Sequence, residues 1–255
     1  MSADGTIQLR TEGRTAWITL DRPPLNVIDI PMMNALSKAL YDLAGHCDFI
    51  VFRGAGEKGF SAGAEVRDHT PERIKQMLAA FHGVFRQLWR SGAVTIAGVH
   101  GYCLGGGCEL ATFCDFVIAG ESSLFGQPEI RLGCFPPVAM VTFPYLVGPR
   151  AALHLILTGR SFSAQEAHHM GLVTRVVDDD AIEQEVVTLL SELGSLSPLI
   201  RRRVRRELWQ AIGMDFEKLL DAAEDLYLNE LMRTEDAVEG IRAFIEKRAP
   251  VWKGR

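Results

Sequence analysis

The sequence predicts a layered α/β fold, and two observations lead to this expectation. Short apolar runs typical of strands alternate with longer runs of helical spacing through residues 16–177. One strand-like run, residues 49–52, is apolar throughout, as in a strand that is covered on both faces. Alternation of this kind is typical of sheets that have helices packed against them.

The elements of the first half can be placed in order along the chain. The expected strands are residues 16–20, 49–52, 94–99 and 115–119. The expected helices are residues 31–44, 71–90 and 108–114. Gly45 ends the first helix, a glycine-rich loop fills residues 54–63, and Gly105, Gly106 and Gly107 open the third helix.

The second half of the chain turns from mixed to helical structure. Ser163 and Glu166 form a capping-box pattern before a short helix that ends at Gly171. Residues 173–177 form the last expected strand. From there the pattern is helical to the end, and the final helix is expected at residues 234–248.

The chain length and the change of pattern predict two regions. A chain of 255 residues is long enough for one large domain or one and a half. The pattern changes from α/β to all-helical near residues 195–200. We therefore expect a core at residues 1–195 and a helical C-terminal region at residues 196–255.

Composition argues against several classes of function. The net charge is −5, which does not indicate a nucleic-acid-binding protein. Residues 200–206 are rich in arginine, but no aromatic residues are interleaved, so we interpret them as a solvated helix face. The N-terminus has no apolar leader, and no stretch approaches about 18 apolar residues. We therefore expect a cytoplasmic protein that does not associate with membranes.

The cysteines predict free thiols and no metal site. There are five of them, an odd number, and none belongs to a C-x-x-C pair. The nearest histidine, His100, has no partner at the spacing of metal ligands. Buried thiols in a reducing compartment are the interpretation that fits this pattern.

The glycines at residues 105–107 allow two interpretations. They match neither a dinucleotide fingerprint nor a phosphate-binding P-loop, because the required third glycine and the lysine are absent. A helix that starts at glycines offers unpaired backbone N–H groups, which could stabilise an oxyanion. Close packing of the helix on a sheet would require glycines as well. The spacing alone leaves both interpretations open.

Two glutamates stand out because their surroundings are apolar. Glu109 lies one turn inside an apolar helix, and Glu129 follows Gln127 and Pro128 in another apolar stretch. An ionised glutamate is rarely buried without a partner. Each could be an ordinary surface or capping residue, or the two could meet in one cleft and divide acid and base catalysis between them.

Three segments carry a resemblance that decides between these alternatives. They are residues 59–65 (GFSAGAE), residues 101–111 (GYCLGGGCELA) and residues 125–133 (FGQPEIRLG). In order and spacing they resemble the crotonase superfamily, the enoyl-CoA hydratases and isomerases. The resemblance runs over nearly the whole chain and implies a crotonase-like spiral of ββα units followed by a helical C-terminal trimerisation region.

The resemblance also implies a role for individual residues. Ala64 and Gly106 match the positions whose backbone N–H groups form the oxyanion hole for the thioester carbonyl. Glu109 and Glu129 match the two catalytic glutamates that hold the water and transfer its protons. The implied CoA contacts are Leu25, Val27, Ala62, Arg67, Phe244 and Lys247.

The resemblance implies an acyl-CoA lyase that adds water to the C=C bond of an α,β-unsaturated acyl-CoA in fatty acid or aromatic degradation. The CoA is part of the substrate, and no separate cofactor is required. The expected assembly is a homotrimer or a dimer of trimers. The alternatives are a double-bond isomerase of the same family and a non-catalytic acyl-CoA- or RNA-binding paralogue, which would be expected to lack Glu109 or Glu129.

One segment departs from the pattern of straight-chain hydratases. Pro137 replaces a glycine whose N–H helps to seat the water in those enzymes, and proline has no N–H. Phe135, Pro137 and Met140 are therefore expected to shape the acyl pocket. Residues 24–30 together with Phe135, Pro136 and Pro137 resemble the hydratases of cyclic dienoyl-CoA esters, which suggests a cyclic substrate.

Overall fold

A six-stranded sheet forms the centre of the computed structural model, which describes residues 5–255. Its strands, in spatial order, are β1 (Ile7–Glu12), β2 (Thr15–Leu20), β3 (Phe49–Gly54), β5 (Val94–Val99), β7 (Phe116–Gly120) and β10 (Arg175–Val177). β1 pairs antiparallel with β2, and all other neighbours are parallel. The layered α/β fold predicted from the sequence is confirmed. β1 lacks an apolar run and was not predicted.

Both faces of the large sheet are covered at its centre, which explains why strands β3, β5 and β7 are mainly apolar. Phe52, Ala97 and Val117 lie in register on neighbouring strands and face the main core. Val51 and Ile96 face the opposite side and pack beneath a later helix. Because residues alternate between the two cores, no polar alternation is seen along these strands.

A second, smaller sheet is formed by four short strands that were not predicted, the first of them within the expected glycine-rich loop at residues 54–63. Its strands, in spatial order, are β4 (Gly59–Ser61), β6 (Tyr102–Leu104), β8 (Leu124–Gly126) and β9 (Ser161–Ser163). The first three are parallel, and each follows one strand of the large sheet. The prediction of an irregular loop at residues 54–63 was therefore wrong in part, because three residues are too few to show a period of two.

Ten helices complete the described chain. They are α1 (Ile30–Leu43), α2 (Ile74–Ser91), α3 (Gly106–Phe113), α4 (Pro137–Leu146), α5 (Gly148–Thr158), α6 (Ala164–Met170), α7 (Ile182–Gly194), α8 (Pro198–Ala211), α9 (Phe216–Asn229) and α10 (Glu235–Ile245). A long strand, a short strand and a helix recur in this order, which is the ββα repeat that the resemblance implied. The capping box of Ser163 and Glu166 at the start of α6 is confirmed.

The C-terminal helices pack onto the core through aromatic side chains. Phe216 of α9 contacts Phe113 with ring centroids 4.8 Å apart, and α9 also packs against α4. The division into regions 1–195 and 196–255 stays a prediction, although α7 ends and α8 begins around this boundary. None of the helices within residues 5–255 combines the length and the apolar character needed to cross a membrane.

The arginine-rich face of α8 is less solvated than the sequence suggested. The guanidinium of Arg205 lies 2.7 Å from Asp115, and that of Arg202 lies 3.1 Å from Asp48. The side chains of Arg201 and Arg205 are only 9% and 10% exposed. Asp48 and Asp115 thus neutralise part of the positive charge of this helix. These carboxylates come from distant segments of the chain, so the local sequence pattern cannot show the ion pairs.

Candidate active site

Helix α3 contains Glu109 and lies in the interior of the molecule. All eight of its residues are buried, and Glu109, which is 3% exposed, is its only charged residue. The first residue of the helix is Gly106. A larger residue would be crowded there, because a Cβ on Gly106 would lie 2.8 Å from the ring of Phe81. The burial of one carboxylate in an apolar helix requires a hydrogen-bond donor from elsewhere in the chain.

The donor for Glu109 comes from the start of α4. The backbone N–H of Ala139 donates to Oε1 of Glu109 at 2.9 Å. Ala139 is the third residue of α4, where backbone N–H groups lack partners within the helix and the positive end of the dipole favours an anion. Pro137 occupies the first position of the same helix, which suits proline because that N–H is not needed for the helix.

Glu129 lies in a short 3-10 helix, Pro128–Leu132, and is partly buried. The buried amide of Gln127 faces it, and with the NH2 turned toward the carboxylate it donates to Oε1 and Oε2 at 3.3 and 3.1 Å. A Cβ on Gly105 would lie 2.8 Å from Oε1 of Glu129. Glu129 therefore lies against the start of α3, the helix that carries Glu109.

The two carboxylates affect each other's protonation. Burial raises the pKa of Glu109 to about 7, although the backbone N–H groups of Ala139 and Val138 oppose this shift. Burial, and then the charge of Glu109, raise the pKa of Glu129 well above its usual range. The charge of an ionised Glu109 thus favours the protonated form of Glu129.

A backbone N–H that points into the site is found at Ala64. Its neighbours all donate within the chain: Ala62 to the carbonyl of Leu25, Gly63 to the hydroxyl of Ser61, and Glu65 to the carbonyl of Ile28. Within residues 5–255, the N–H of Ala64 has no such acceptor. The three flanking bonds fix the segment and leave one donor unused.

A second unused donor is the N–H of Gly106, the first residue of α3. No acceptor within the described residues pairs with it. A Cβ on Gly106 would lie 3.3 Å from the nitrogen of Ala64, and a Cβ on Gly63 would lie 3.0 Å from the nitrogen of Gly106. The two donors are therefore adjacent. Two adjacent unpaired N–H groups can bind a single oxygen that carries negative charge.

A cavity of about 320 Å³ opens beside these groups. It is lined by Ala62, Gly63, Ala64, Val66, His69, Gly105, Pro128, Glu129, Arg131, Leu132, Gly240, Phe244, Arg248 and Pro250. The structure thus brings together four of the predicted site residues, namely Ala62, Ala64, Glu129 and Phe244. Glu109 and Gly106 lie behind its wall, at the start of α3.

The other predicted residues are placed around this cavity. Leu25 and Val27 flank the segment that holds Ala62, and both are partly buried. Arg67 and Lys247 are exposed at its margin.

Of the residues expected in the acyl pocket, Pro137 is buried at the start of α4, and Phe135 packs against Tyr227 with ring centroids 5.0 Å apart. Met140 is 38% exposed on α4. None of these three lines the 320 Å³ cavity.

Three residues of the site were not predicted from the sequence. Asn26 is fully buried, and its amide donates to the carbonyls of Ala55, Gly59 and Phe60, which holds the segment before Ala64. The others are Gln127, which faces Glu129, and His69, which lines the cavity.

The signals for these residues differ. Burial lowers the pKa of His69, which keeps it neutral in the cavity wall. An asparagine close to a double proline could have indicated a turn with side-chain hydrogen bonds. His69 has no local signal, because it reaches the site through tertiary packing.

Comparison with known proteins gives matches that span nearly the whole chain. A family model described as enoyl-CoA hydratase/isomerase matches residues 10–255. Cyclohexa-1,5-dienecarbonyl-CoA hydratase of Thauera aromatica is 36% identical over 98% of this chain and 96% of its own length. A probable enoyl-CoA hydratase of Rhizobium meliloti is 38% identical over 98% of each chain.

A similarity in structure accompanies the similarity in sequence. The crystal structure of an enoyl-CoA hydratase from Mycobacterium avium subsp. paratuberculosis matches with a TM-score of 0.87 and 25% identity. The match covers 97% of this chain and 98% of that chain. It therefore includes both sheets and the C-terminal helices.

Proposed function

Since the chain belongs to the enoyl-CoA hydratase/isomerase family, we propose that it adds water across the C=C bond of an α,β-unsaturated acyl-CoA at the site just described. The observation that supports this most strongly is the buried Glu109 and the partly buried Glu129 beside two unused backbone N–H groups. Hydration needs these groups: donors for the thioester oxygen, a base for water and an acid for carbon.

The thioester carbonyl is proposed to bind between the N–H groups of Ala64 and Gly106. When water attacks the β carbon, the π electrons move toward the α carbon and negative charge develops on the thioester oxygen. Donors fixed before the reaction stabilise this charge more than they stabilise the neutral carbonyl. Loss of one such donor costs about 3–4 kcal/mol of transition-state stabilisation in other enzymes.

The two glutamates are proposed to take opposite roles. Glu109, which accepts a hydrogen bond from the N–H of Ala139, is held in a form that can accept the proton of the attacking water. Glu129, whose pKa is raised further, carries a proton that it delivers to the α carbon. The net reaction moves only water and protons, so the chemistry itself requires no redox group and no metal.

The CoA part of the substrate is proposed to extend from the cavity toward solvent. Ala62 and Phe244 line its wall, Leu25 and Val27 flank the segment that carries Ala62, and Arg67 and Lys247 are exposed cations at its margin. Exposed cations can approach phosphates without losing an internal partner, and neither Arg67 nor Lys247 forms an ion pair within residues 5–255.

A cyclic dienoyl-CoA is the acyl group that we favour. Two features support it: the relative from Thauera aromatica is named as a hydratase of such an ester, and Pro137 begins helix α4, whose Ala139 N–H donates to Glu109. We also propose a homotrimeric assembly, or a dimer of trimers. The five cysteines within the described residues are buried and free, which supports a reducing compartment such as the cytoplasm.

The experiment is to incubate the purified protein with cyclohexa-1,5-diene-1-carbonyl-CoA and, separately, with crotonyl-CoA, and to follow each by liquid chromatography, which separates isomers, coupled to mass spectrometry. Gain of one water by either ester supports the proposed function, and gain by the cyclic ester supports the proposed substrate. Turnover of crotonyl-CoA alone would contradict the cyclic substrate. A product with a moved double bond and no added water would indicate an isomerase, and no turnover of either ester would contradict hydration.

A further inference from the structure

The hydroxyl of Ser61 joins two backbone segments close to the unused N–H groups of the site. Ser61 is the last residue of β4 and is fully buried. Its Oγ donates to the carbonyl of Asn26 at 2.8 Å and accepts the N–H of Gly63 at 3.1 Å. Both bonds can form at once, because a hydroxyl has one proton and two lone pairs. The hydroxyl thus ties Asn26 to the residue just before Ala64.

The backbone of Gly63 decides where the N–H of Ala64 points, because the carbonyl of Gly63 and this N–H share one planar peptide group. The N–H of Ile28 donates to the carbonyl of Gly63 at 2.8 Å, and the N–H of Glu65 donates to the carbonyl of Ile28 at 2.9 Å. Ala64 lies between these two bonds, so its N–H points away from Ile28. A rotation of the Gly63 backbone would therefore move this donor.

Gly63 needs partners on both sides to hold this conformation. Its φ is +96°, in the region that favours glycine, and glycine adopts more backbone conformations than any other residue. Ile28 holds its carbonyl, and Ser61 holds its N–H. Removal of the hydroxyl would leave the N–H of a buried residue without its partner, and the backbone would turn to find another acceptor.

Ser61 also packs against the start of α3, which carries the second unused donor at Gly106. A Cβ on Gly107 would lie 2.6 Å from the Cβ of Ser61 and 2.9 Å from its Oγ. The side chain is therefore in contact with both segments that carry the donors. It is not part of the wall of the 320 Å³ cavity, so it can act on a substrate only through the backbone.

We propose that Ser61 is a positioning residue of the oxyanion hole: its hydroxyl fixes the backbone of Gly63 and thereby aims the N–H of Ala64 at the thioester oxygen. This inference rests on the proposed hydration and adds to it a residue that does not touch the substrate. Donors stabilise a developing charge only when they are aligned with it, and a misplacement of about 1 Å can cost about 10²-fold in rate.

The first test compares the kinetics of Ser61→Ala with those of wild type and Ser123→Ala. Ser123 is also fully buried, and its hydroxyl donates to the carbonyl of Val99 at 3.1 Å in the turn before β8. Its variant is thus a matched control that removes a buried hydrogen bond elsewhere. We expect Ser61→Ala to lower kcat about 10- to 100-fold while KM changes less than about threefold. Ser123→Ala is expected to keep the kcat and KM of wild type.

The second test observes the thioester carbonyl itself. Infrared difference spectra are recorded with butyryl-CoA that is isotope-labelled at the carbonyl carbon, a saturated ester that cannot be hydrated. Hydrogen bonds to the carbonyl oxygen lower its stretching frequency. We expect a lowering in wild type and in Ser123→Ala, and about half of that lowering in Ser61→Ala, because one of the two donors is misaligned. A merely structural serine would leave this frequency unchanged.

Ser61→Cys gives the same test if Ser61→Ala does not fold. Its thiol is a weaker donor and a weaker acceptor than the hydroxyl. We expect it to lower kcat and to reduce the frequency shift in the same direction as Ser61→Ala, with a smaller amplitude. Wild-type kcat and frequency in the folded cysteine variant would overturn the proposal.

The remaining outcomes separate the inference from the proposed function. If wild type hydrates an enoyl-CoA and Ser61→Ala has the wild-type carbonyl frequency, Ser61 does not position the donor, whatever its kcat, and the proposed function stands. An equal change of frequency in Ser123→Ala would also overturn the inference. If wild type hydrates neither ester, the proposed function fails. In that case a lowered frequency in wild type that is partly lost in Ser61→Ala still supports the positioning role, and an unshifted frequency in wild type overturns it.

Discussion

At the scale of single residues, Glu109 shows how this site balances opposing effects. Burial in an apolar helix raises its pKa to about 7, while the N–H of Ala139 stabilises the ionised form. Its neighbour Glu129 shifts further because it meets the charge of Glu109 as well as burial. The two groups are chemically identical, and the difference in their surroundings fits the proposed division into base and acid.

The raised pKa of Glu109 predicts a pH-dependent change in stability. An unfolded glutamate titrates near pH 4.3, so between about pH 4.3 and about pH 7 the folded protein holds more protons than the unfolded chain. The free energy of unfolding therefore falls as the pH rises through this window. In Glu109→Gln this loss is absent, and we expect the variant to be more stable than wild type by up to about 3 kcal/mol at pH 8.

Urea unfolding of wild type and Glu109→Gln at about pH 5 and at about pH 8 measures this difference. We expect the free energies of unfolding of the two proteins to be similar at the lower pH and to differ at the higher pH. A stability difference that does not change with pH would show that Glu109 titrates normally in the folded state.

At the scale of elements, the long strands and helices were predictable and the short strands were not. Strand β3 begins with four apolar residues, strand β5 is mostly apolar, and helix α1 has apolar residues at helical spacing. The structure has all three close to their predicted bounds. Strands such as β4 and β8 have three residues each, and such a length carries no measurable period. They form because each directly follows a long strand of the large sheet, and the pairing of the long strands places the short segments next to one another.

Helix α4 shows a second limit of prediction at this scale. Its ten residues include no charged side chain, and Pro144 lies inside it, so no polar face reveals the helical period. The sequence therefore gave no reason to place a helix there. The consequence for the site is large, because the start of this helix supplies the donor that holds Glu109.

The site itself was predictable in part. Glu109, Glu129, Ala64 and Gly106 were expected from short motifs whose residues lie close together in sequence. Gln127 and Asn26 were not, although both lie within or beside those motifs, because the role of an amide depends on which carbonyl or carboxylate it meets. His69 was not predicted either, because only packing brings it to the wall of the cavity.

At the scale of the whole molecule, the C-terminal helices have a buried and an exposed apolar surface. Tyr227 of α9 is buried and packs against Phe135, while the outer face of α8 exposes an apolar stripe. The stripe consists of Ile200 (56% exposed), Val204 (59%), Leu208 (60%) and Ile212 (46%), spaced four residues apart. Exposed apolar stripes of this kind mark contacts between proteins. The proposed trimer would cover it.

This stripe gives a prediction about assembly. We expect Leu208→Glu to convert the proposed trimer into monomers, because a charge at the centre of a buried apolar contact is costly. Size-exclusion chromatography with light scattering measures the mass directly. As a control, Leu153→Glu changes an equally exposed leucine on α5 and is expected to leave the mass unchanged. A wild type that is monomeric, or a Leu208→Glu variant of unchanged mass, would contradict a contact through α8.

The central claim is that Glu109 and Glu129 act as the base and acid of a hydration. The most direct test is steady-state kinetics of Glu109→Gln and Glu129→Gln on the enoyl-CoA that wild type hydrates, with the exposed Glu57→Gln as control. We expect each site variant to lose about 10²- to 10⁴-fold in kcat while its KM changes little. Glu57→Gln is expected to have the kcat and KM of wild type. Full turnover by either site variant would contradict the claim.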